Sequence, residues 1–408
     1  MRRSLLCLLW MLLVLSTTYC RADNSDVITV PTSGKFQLTI APSTVLSGAA
    51  APELGQKLGE LFSFDMGVSG LFEIAQGGGG SGLLLKSAYQ VTGDSVVLEC
   101  RLFDQILNRE LTAKRYSGGK KDLRRMAHAF SDEVLRALTG QKGPFTGLIA
   151  YVSKVSGNKE IFVMDYDGYN PRRVTNNGSI NINPDFAPSG KEIIYTSYKK
   201  GNPDLYRREL YTGFEARISA RSGLNAMGAY SPDGNRIAEV MSKDGNSEVY
   251  LISREGKELS RLTRDAAIDV SPAWSPDGSK IVFVSDRLGK PQLFVMNADG
   301  SNVRRLTTSG AYNVTPRWSP KGDRIVYARQ EGGGFQIHAI NPDGSGDTQL
   351  TSSGSNEHPR WSPDGRFIVF SSTRDGAEAI YLMRGDGSGQ TRISRGKGSD
   401  SHPSWSQG

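Results

Sequence analysis

The side chains that could do covalent or metal chemistry are scarce in this 408-residue sequence, and their spacing matches no catalytic constellation. No H-E-x-x-H or C-x-x-C motif for zinc occurs, and no G-x-S-x-G motif supplies the nucleophile of an α/β-hydrolase. The four histidines are His128, His338, His358 and His402. Cys100 lies in the alternating segment SVVLECRLF, which predicts a small buried hydrophobe rather than a nucleophile. The sequence therefore predicts a protein without catalytic residues, bound metal or cofactor.

Two short motifs match functional patterns, but their surroundings favour structural roles. Gly77–Gly82 (GGGGSG) satisfies the G-x-G-x-x-G pattern of dinucleotide sites, which requires a helix immediately afterwards. The next residues, LLLKSAYQV, alternate like a strand, so a hairpin or connecting loop is predicted instead. Asp165–Gly168 resembles part of a calcium loop but lacks the flanking helices and the twelfth-position Glu, which favours a hairpin turn. His128 lies outside the apolar stripe of its predicted helix and is interpreted as a surface residue.

A sequence repeat begins after residue 143, and it predicts the strands on which a binding site would lie. Each period contains a variant of SPAWSPDGSKIVFVS, the form that begins at Ser271. The aromatic residues that mark the periods are separated by 44, 44, 44, 43 and 44 residues: Phe186, Tyr230, Trp274, Trp318, Trp361 and Trp405. Such regularity, with four strand-like pieces and Asp-Gly turns in each period, predicts a β-propeller.

The number of blades follows from the two ends of the repeat region. Six segments have the inner-strand pattern, and the last of them, SHPSWS at Ser401–Ser406, has no later strands of its own. The first period begins with LIAYVS at Leu148 and lacks an inner strand. We therefore predict six blades of about 44 residues each, with the C-terminal strand completing blade one.

The residues before the repeat divide into a leader, an arm and a small domain. Arg2 and Arg3, followed by eleven apolar residues, predict a signal peptide over residues 1–22, because a spanning helix needs about 20 apolar residues. Residues 23–34 are polar and predict a flexible arm. Residues 35–143 combine strand and helix patterns of a small α/β domain, and residues 144–408 form the propeller. We expect an exported, mainly β protein with no membrane segment after cleavage.

Charge and cysteine content narrow the possible partners. Cleavage of the leader removes Arg2, Arg3 and Arg21, which lowers the formal net charge from +7 to +4. The remaining basic residues are scattered, without the basic patch of a nucleic-acid site. Only Cys100 remains after cleavage, so no internal disulfide can form. We expect a monomer that does not bind nucleic acid.

Alignment of the periods on their aromatic markers identifies two columns at the start of each inner strand. Five residues before the marker, every period has Asn or Asp: Asn181, Asn225, Asp269, Asn313, Asn356 and Asp400. Such side chains commonly cap turns, but around the mouth of an axial channel they could also form a polar ring that contacts a partner. Two residues later the column varies: Asn183, Met227, Ser271, Thr315, His358 and His402. Varied chemistry at equivalent positions suits a specific binding mouth, and His358 and His402 are expected to be neighbours.

The tandem x-P-x-W-S-P-D-G…I-V-F…I-Y-x-M repeats resemble the propeller motif of the TolB family. Residues 109–153, RELTAKRYSGGKKDLRRMAHAFSDEVLRALTGQKGPFTGLIAYVS, resemble the family's junction between its α/β domain and first blade. With the leader and six blades, the resemblance covers essentially the whole mature chain. It implies a non-enzymatic periplasmic protein that shuttles between Pal, the peptidoglycan-associated outer-membrane lipoprotein, and the inner-membrane-linked TolA. It also implies a role in outer-membrane integrity and in invagination during cell division.

The resemblance further implies where the two partners bind. Pal docks over the propeller mouth in the family, which in this sequence corresponds to the two columns. TolA contacts the N-terminal arm, which includes Asp23, Asn24, Asp26, Val27 and Ile28. Two alternatives from other classes remain: an exported propeller that binds a glycan or small ligand at the same mouth, and an accessory domain of a peptidase.

Overall fold

The computed structural model describes residues 34–48, 50–75, 82–155, 157–396 and 398–407. They form a small α/β region followed by a six-bladed β-propeller, which confirms the predicted fold class. The predicted signal peptide, the arm residues 23–33 and nearly all of the Gly77–Gly82 motif lie outside the described residues. Within the described ranges, no helix has the length and apolarity needed to cross a membrane.

The α/β region is a six-stranded sheet with two helices. Its strands are β1 (Phe36–Ile40), β2 (Thr44–Ser47), β3 (Phe72–Ile74), β4 (Leu83–Thr92), β5 (Ser95–Asp104) and β6 (Arg109–Gly119). Its helices are α1 (Pro52–Ser69) and α2 (Leu123–Thr139), the second preceded by a 3-10 turn at Lys120–Asp122. The sheet order is β3-β1-β4-β5-β6, with β2 paired to β4. Strand β2 is short, and all four of its residues are exposed.

Helix α2 shows how the sequence pattern determines the packing of this region. Met126, Phe130 and Val134 recur at helical spacing, and all three are buried in the core shared with α1 and the sheet. The helix ends at Gly140, whose φ of 74° is the left-handed conformation that favours glycine. The same core includes Cys100, so the prediction of a buried thiol is confirmed.

Each propeller blade is a four-stranded antiparallel sheet whose inner strand lines the channel and whose other three strands follow outward in order. Blade one contains β30 (Ser399–Trp405), β7 (Leu148–Val155), β8 (Asn158–Asp165) and β9 (Arg172–Arg173). Blade two contains β10 (Asn181–Phe186), β11 (Glu192–Ser197), β12 (Asp204–Glu209) and β13 (Glu215–Ser219), and blade three contains β14 (Asn225–Tyr230), β15 (Arg236–Met241), β16 (Glu248–Ser253) and β17 (Glu258–Arg261). Blade four contains β18 (Asp269–Trp274), β19 (Lys280–Ser285), β20 (Gln292–Asn297) and β21 (Arg304–Arg305). Blade five contains β22 (Asn313–Trp318), β23 (Ile325–Glu331), β24 (Gly334–Ile340) and β25 (Thr348–Gln349), and blade six contains β26 (Asn356–Trp361), β27 (Phe367–Ser372), β28 (Ala379–Arg384) and β29 (Thr391–Arg392).

The ring is closed by the C-terminal strand, as predicted. Strand β30 pairs antiparallel with β7, so that Asp400 lies opposite Ser153 and Trp405 lies opposite Ile149. Residues from the two ends of the propeller sequence therefore share one blade. Closure in this way removes the exposed sheet edges that an open array of blades would leave.

The α/β region packs against blades one and six at the end of the propeller opposite the starts of the inner strands. Tyr166, Phe367 and Trp405 from these blades belong to the same apolar core as α1 and α2. Arg384 donates hydrogen bonds to the carbonyl oxygens of Val68 and Gly67 at the end of α1. The two parts of the chain thus share a continuous core rather than a solvated interface.

At the centre of this junction lies a buried ionic cluster, and it corrects one sequence-based prediction. His128 is 2% exposed, so its interpretation as a surface residue is wrong. Its Nδ1 lies 2.9 Å from Asp65 Oδ2 on α1, and its Nε2 lies 3.2 Å from Asp167 Oδ2 in the turn after β8. Arg124 and Tyr166 also contact these carboxylates. The Asp165–Gly168 segment is a turn, as predicted, but it also anchors the propeller to the helices.

Candidate functional site

All six inner strands have the same irregularity near the channel mouth. Their pairing with the second strand shifts register at equivalent places, as β-bulges do. The residues at the shift have φ between 50° and 56°: Asn183, Met227, Ser271, Thr315, His358 and His402. These are the varied column of the sequence, and none is glycine, although a β-branched residue such as Thr315 rarely adopts this conformation. Backbone strain repeated at equivalent positions in a cavity is typical of a functional site.

The six side chains of this column line a cavity of about 190 Å³ at the mouth. His358 and His402 stack with their ring centroids 3.7 Å apart, so their predicted proximity is confirmed. Burial, together with the nearby cations Lys159 and Arg360, lowers the pKa of His402 to about 3. Burial and the His402 ring hold the pKa of His358 well below its usual value. Both rings are therefore neutral at pH 7, and each can donate one hydrogen bond and accept another.

The Asn/Asp column lies directly beneath the surface of the mouth. Five of its six members are 0% exposed and Asp400 is 3% exposed, so the predicted polar ring is not accessible to a partner, and that part of the site prediction is corrected. The column consists of Asn181, Asn225, Asp269, Asn313, Asn356 and Asp400. The alternative interpretation, that these side chains hold turns, agrees with their contacts. Asn225 Nδ2, for example, donates to the carbonyl oxygen of Arg221 at 2.7 Å, and its Oδ1 accepts from the Arg221 N–H at 2.9 Å.

Several members of the buried column also connect one blade to the next. Asn313 Nδ2 donates to Gln292 Oε1 at 2.9 Å, and Asn356 Nδ2 donates to Gln336 Oε1 at the same distance. In each case the acceptor is on the third strand of the preceding blade. The column therefore fixes the spacing of the blades and places the bulged residues above it in equivalent positions around the mouth.

The Asn356→Ala variant is expected to lower the free energy of unfolding by about 1–3 kcal/mol, because it removes one of the two hydrogen bonds that the buried Gln336 Oε1 accepts and leaves only the one from Thr351. Arg374 Nη2, which lies 2.9 Å from Asn356 Oδ1, loses an acceptor as well. The exposed Asn235→Ala is the matched control and should stay within about 0.5 kcal/mol of the parent chain. Urea unfolding measures both values. Equal stability of the two variants would show that the buried column does not connect the blades.

The residue immediately before each Asn or Asp forms the exposed rim, which the sequence-based prediction missed. Ile180, Ile268 and Tyr312 are 46%, 51% and 39% exposed, and Leu224 is partly exposed at the equivalent position. Leu288, in the neighbouring β19–β20 loop, is 58% exposed. Blades six and one have Ser355 and Ser399 at this position. The aligned periods do contain a signal for this rim, because an apolar residue precedes the Asn or Asp on four consecutive blades.

The described residues contain no close group of three or more side chains suited to hold a metal ion. The Cys100 thiol is buried in the α/β region, and burial raises its pKa well above the usual value. The mouth cavity thus presents neutral donors and acceptors together with Arg317 and Arg360 at its base, and an apolar rim surrounds it. Such a surface can bind a partner by burial and hydrogen bonding.

Comparison with known proteins gives the same architecture. A family model described as the TolB beta propeller domain matches residues 135–408. The Tol-Pal system protein TolB of Geobacter sulfurreducens is 57% identical over 205 residues, which are 45% of this chain and 48% of that protein. The corresponding protein of Syntrophotalea carbinolica is 43% identical over 217 residues, which are 47% of this chain and 50% of that protein. The chain thus matches about half the length of these relatives.

The crystal structure of TolB from Acinetobacter baumannii has the same fold, with a TM-score of 0.81. The match covers 91% of this chain and 96% of that chain at 24% sequence identity. The family model alone spans more than half of the sequence, including all six blades. The chain belongs to the TolB β-propeller family.

Proposed function

We propose that this protein is a non-enzymatic component of a Tol-Pal system and that its propeller mouth binds a Pal-like outer-membrane lipoprotein. The observation that carries the proposal is the mouth itself, where six left-handed bulges direct varied side chains into one cavity. The relatives that match the chain are named as Tol-Pal system proteins. In this proposal the protein acts in the periplasm, in agreement with the predicted leader, and supports outer-membrane integrity and invagination during division.

The rim favours a protein partner over a glycan or small ligand. Ile180, Ile268 and Leu288 are about half exposed, and apolar side chains grouped around a cavity are typical of protein interfaces. The cavity of about 190 Å³ is smaller than the roughly 300–1,000 Å³ of ordinary ligand pockets. A docked protein surface would cover the rim and insert a few side chains into the cavity.

The second proposed partner is a TolA-like inner-membrane protein. We infer that it contacts the N-terminal arm, including Asp23, Asn24, Asp26, Val27 and Ile28, which lies outside the described residues. In this proposal the protein bridges the two membranes by binding alone, without catalysis. The α/β region packs at the end of the propeller opposite the mouth, so two partners could be held at different surfaces.

The proposal predicts that Ile268→Asp weakens binding of the lipoprotein's periplasmic domain about tenfold or more, because a charge would be desolvated at the rim. Replacement of both His358 and His402 by Ala should weaken binding by about 1–3 kcal/mol, since their partners would be left unpaired. The measurement is calorimetric titration of the full mature chain, with thermal melts of every variant.

Leu107→Asp is the matched control for the rim variant. Leu107 is 60% exposed in the turn between β5 and β6, in the α/β region, and should not affect the titration. Unchanged affinity for the rim and histidine variants, with unchanged melting, would place the lipoprotein elsewhere on the molecule. Lost affinity together with a collapsed melt of the histidine variant would mean that the two rings are structural.

A further inference from the structure

A second layer of side chains crosses the channel beneath the histidines. It consists of the residues two positions beyond the bulges: Asp185, Ala229, Ala273, Arg317, Arg360 and Ser404. Arg317 and Arg360 line both the mouth cavity and a second cavity of about 370 Å³ on the other side. The two arginines therefore form the boundary between the cavities, where any group inserted through the mouth would meet them.

The two arginines differ in their partners. Arg360 Nη1 lies 2.6 Å from Asp185 Oδ1 and forms a salt bridge within the layer. Arg317 Nη1 donates only to the carbonyl oxygen of Pro316, at 2.7 Å, and its buried Nε has no acceptor among the described residues. The layer thus contains two guanidinium groups and one carboxylate.

The surroundings do not compensate this excess positive charge. The lining of the mouth cavity includes no Asp or Glu, and Lys159 adds positive potential near the histidines. Glu357 and Glu378 lie outside that lining, and Glu378 offsets part of the charge of Lys159. Burial, reinforced by Arg360 and only partly offset by Asp185, lowers the pKa of Arg317 to about 9. An unpaired cation in such a place destabilises the fold unless an anion joins it.

We propose that Arg317 is an anion site that receives a carboxylate through the propeller mouth. The guanidinium fork binds a carboxylate through two parallel hydrogen bonds, which would satisfy the unpaired Nε. Ala229 and Ala273 have short side chains and leave space in the layer beside Arg317. The neutral rings of His358 and His402 can donate hydrogen bonds to the same group on its path.

The carboxylate has two possible sources, which share this chemistry. One is an acidic side chain of a protein docked on the mouth, and this form of the proposal rests on the proposed function. The other is a free small carboxylate, for which the mouth cavity of about 190 Å³ is large enough. A first experiment tests the site without any protein partner, and a second one identifies the source.

In the first experiment, the melting temperature of the full mature chain is measured in succinate and in sodium chloride of equal ionic strength. Succinate at about 50 mM should raise the Tm of the parent chain by about 2 °C or more. Arg317→Gln should abolish this rise, whereas Arg125→Gln, at an exposed position on α2, should retain it. Without succinate, Arg317→Gln should melt no lower than the parent chain, because the variant removes an uncompensated charge.

In the second experiment, the lipoprotein's periplasmic domain is titrated against the same variants. A tenfold loss of affinity for Arg317→Gln, with a smaller loss for Arg317→Lys, identifies the partner's side chain as the source. A succinate response with unchanged lipoprotein affinity identifies a free carboxylate instead. Absence of both the succinate response and the affinity loss overturns the proposal. If the lipoprotein does not bind the parent chain at all, the proposed function fails while the succinate experiment still decides the anion site.

Discussion

Removal of residues 401–408 is expected to abolish cooperative unfolding of the propeller or to lower its Tm by more than about 10 °C. The deletion removes most of β30 and leaves β7 as an unpaired edge beside the channel. It also removes Trp405, which is 8% exposed and stacks on Tyr166 and Phe367, each with ring centroids 6.3 Å away. Truncation of one buried Trp costs about 3–5 kcal/mol, and loss of the strand adds to this.

A shorter deletion is the control for this experiment. Removal of residues 407–408 alone keeps the hydrogen bonds between Ser406 and Leu148, and Gln407 is exposed, so the Tm should change little. Scanning calorimetry of both truncated chains gives the comparison. If the chain without residues 401–408 melts within about a degree of the full chain, the C-terminal strand does not close the ring.

The His128→Ala variant is expected to lose about 3–5 kcal/mol of unfolding free energy, because it leaves the buried Asp65 and Asp167 carboxylates without their shared partner. Both imidazole nitrogens face a carboxylate, so the ring is bound as the doubly protonated cation. Burial by itself lowers the pKa of His128, but Asp65 and Asp167 outweigh burial and raise the pKa to about 10. Burial raises the pKa of Asp167, but His128 and Arg124 outweigh it and hold the pKa below its usual value.

The raised pKa of His128 gives this loss a defined pH dependence. The folded chain binds the proton more tightly than the unfolded chain, whose histidine has a pKa of about 6.5. The stabilisation is therefore complete below about pH 6.5 and is lost as the pH rises through about 10. The difference in stability between the parent chain and His128→Ala should narrow by about 1.4 kcal/mol per pH unit within this window.

The exposed Arg125→Ala, on the same helix, is the control for the His128 variant. It should change the stability by less than about 0.5 kcal/mol at every pH. Urea unfolding at pH 6, 8 and 9.5 provides the data. A constant difference between His128→Ala and the parent chain across this range would mean that His128 is neutral in the folded protein.

The propeller could be predicted because each blade repeats the same strand pattern, with an aromatic residue at an equivalent position. Trp274 and Trp405 are buried at equivalent positions, and the regular spacing of such markers determines the blade count. The missing inner strand of blade one followed from counting these segments. His128 was predicted wrongly because its partners come from α1 and from the turn after β8, which are distant in sequence.

The sequence indicates where the mouth lies, but it does not show which residues there are buried and which line the cavity. Asn and Asp cap turns and contact ligands alike, so only burial shows that a residue such as Asn313 holds the loop. The left-handed bulges were hidden because Met227 and Thr315 are not residue types that favour positive φ. Arg317 lies between the proline and the tryptophan of its repeat. Only the folded structure shows that its Nε has no acceptor among the described residues.

Site-specific photo-crosslinking can show whether the propeller mouth is the surface that binds the lipoprotein, as we propose. A photoreactive amino acid is placed at Ile268 on the rim and, as the control, at Leu107 in the α/β region, which has a similar exposure. We expect the full mature chain to crosslink to the lipoprotein's periplasmic domain from position 268 and not from position 107. Crosslinks from position 107, with none from positions 180, 268 or 312, would contradict binding of the lipoprotein at the mouth.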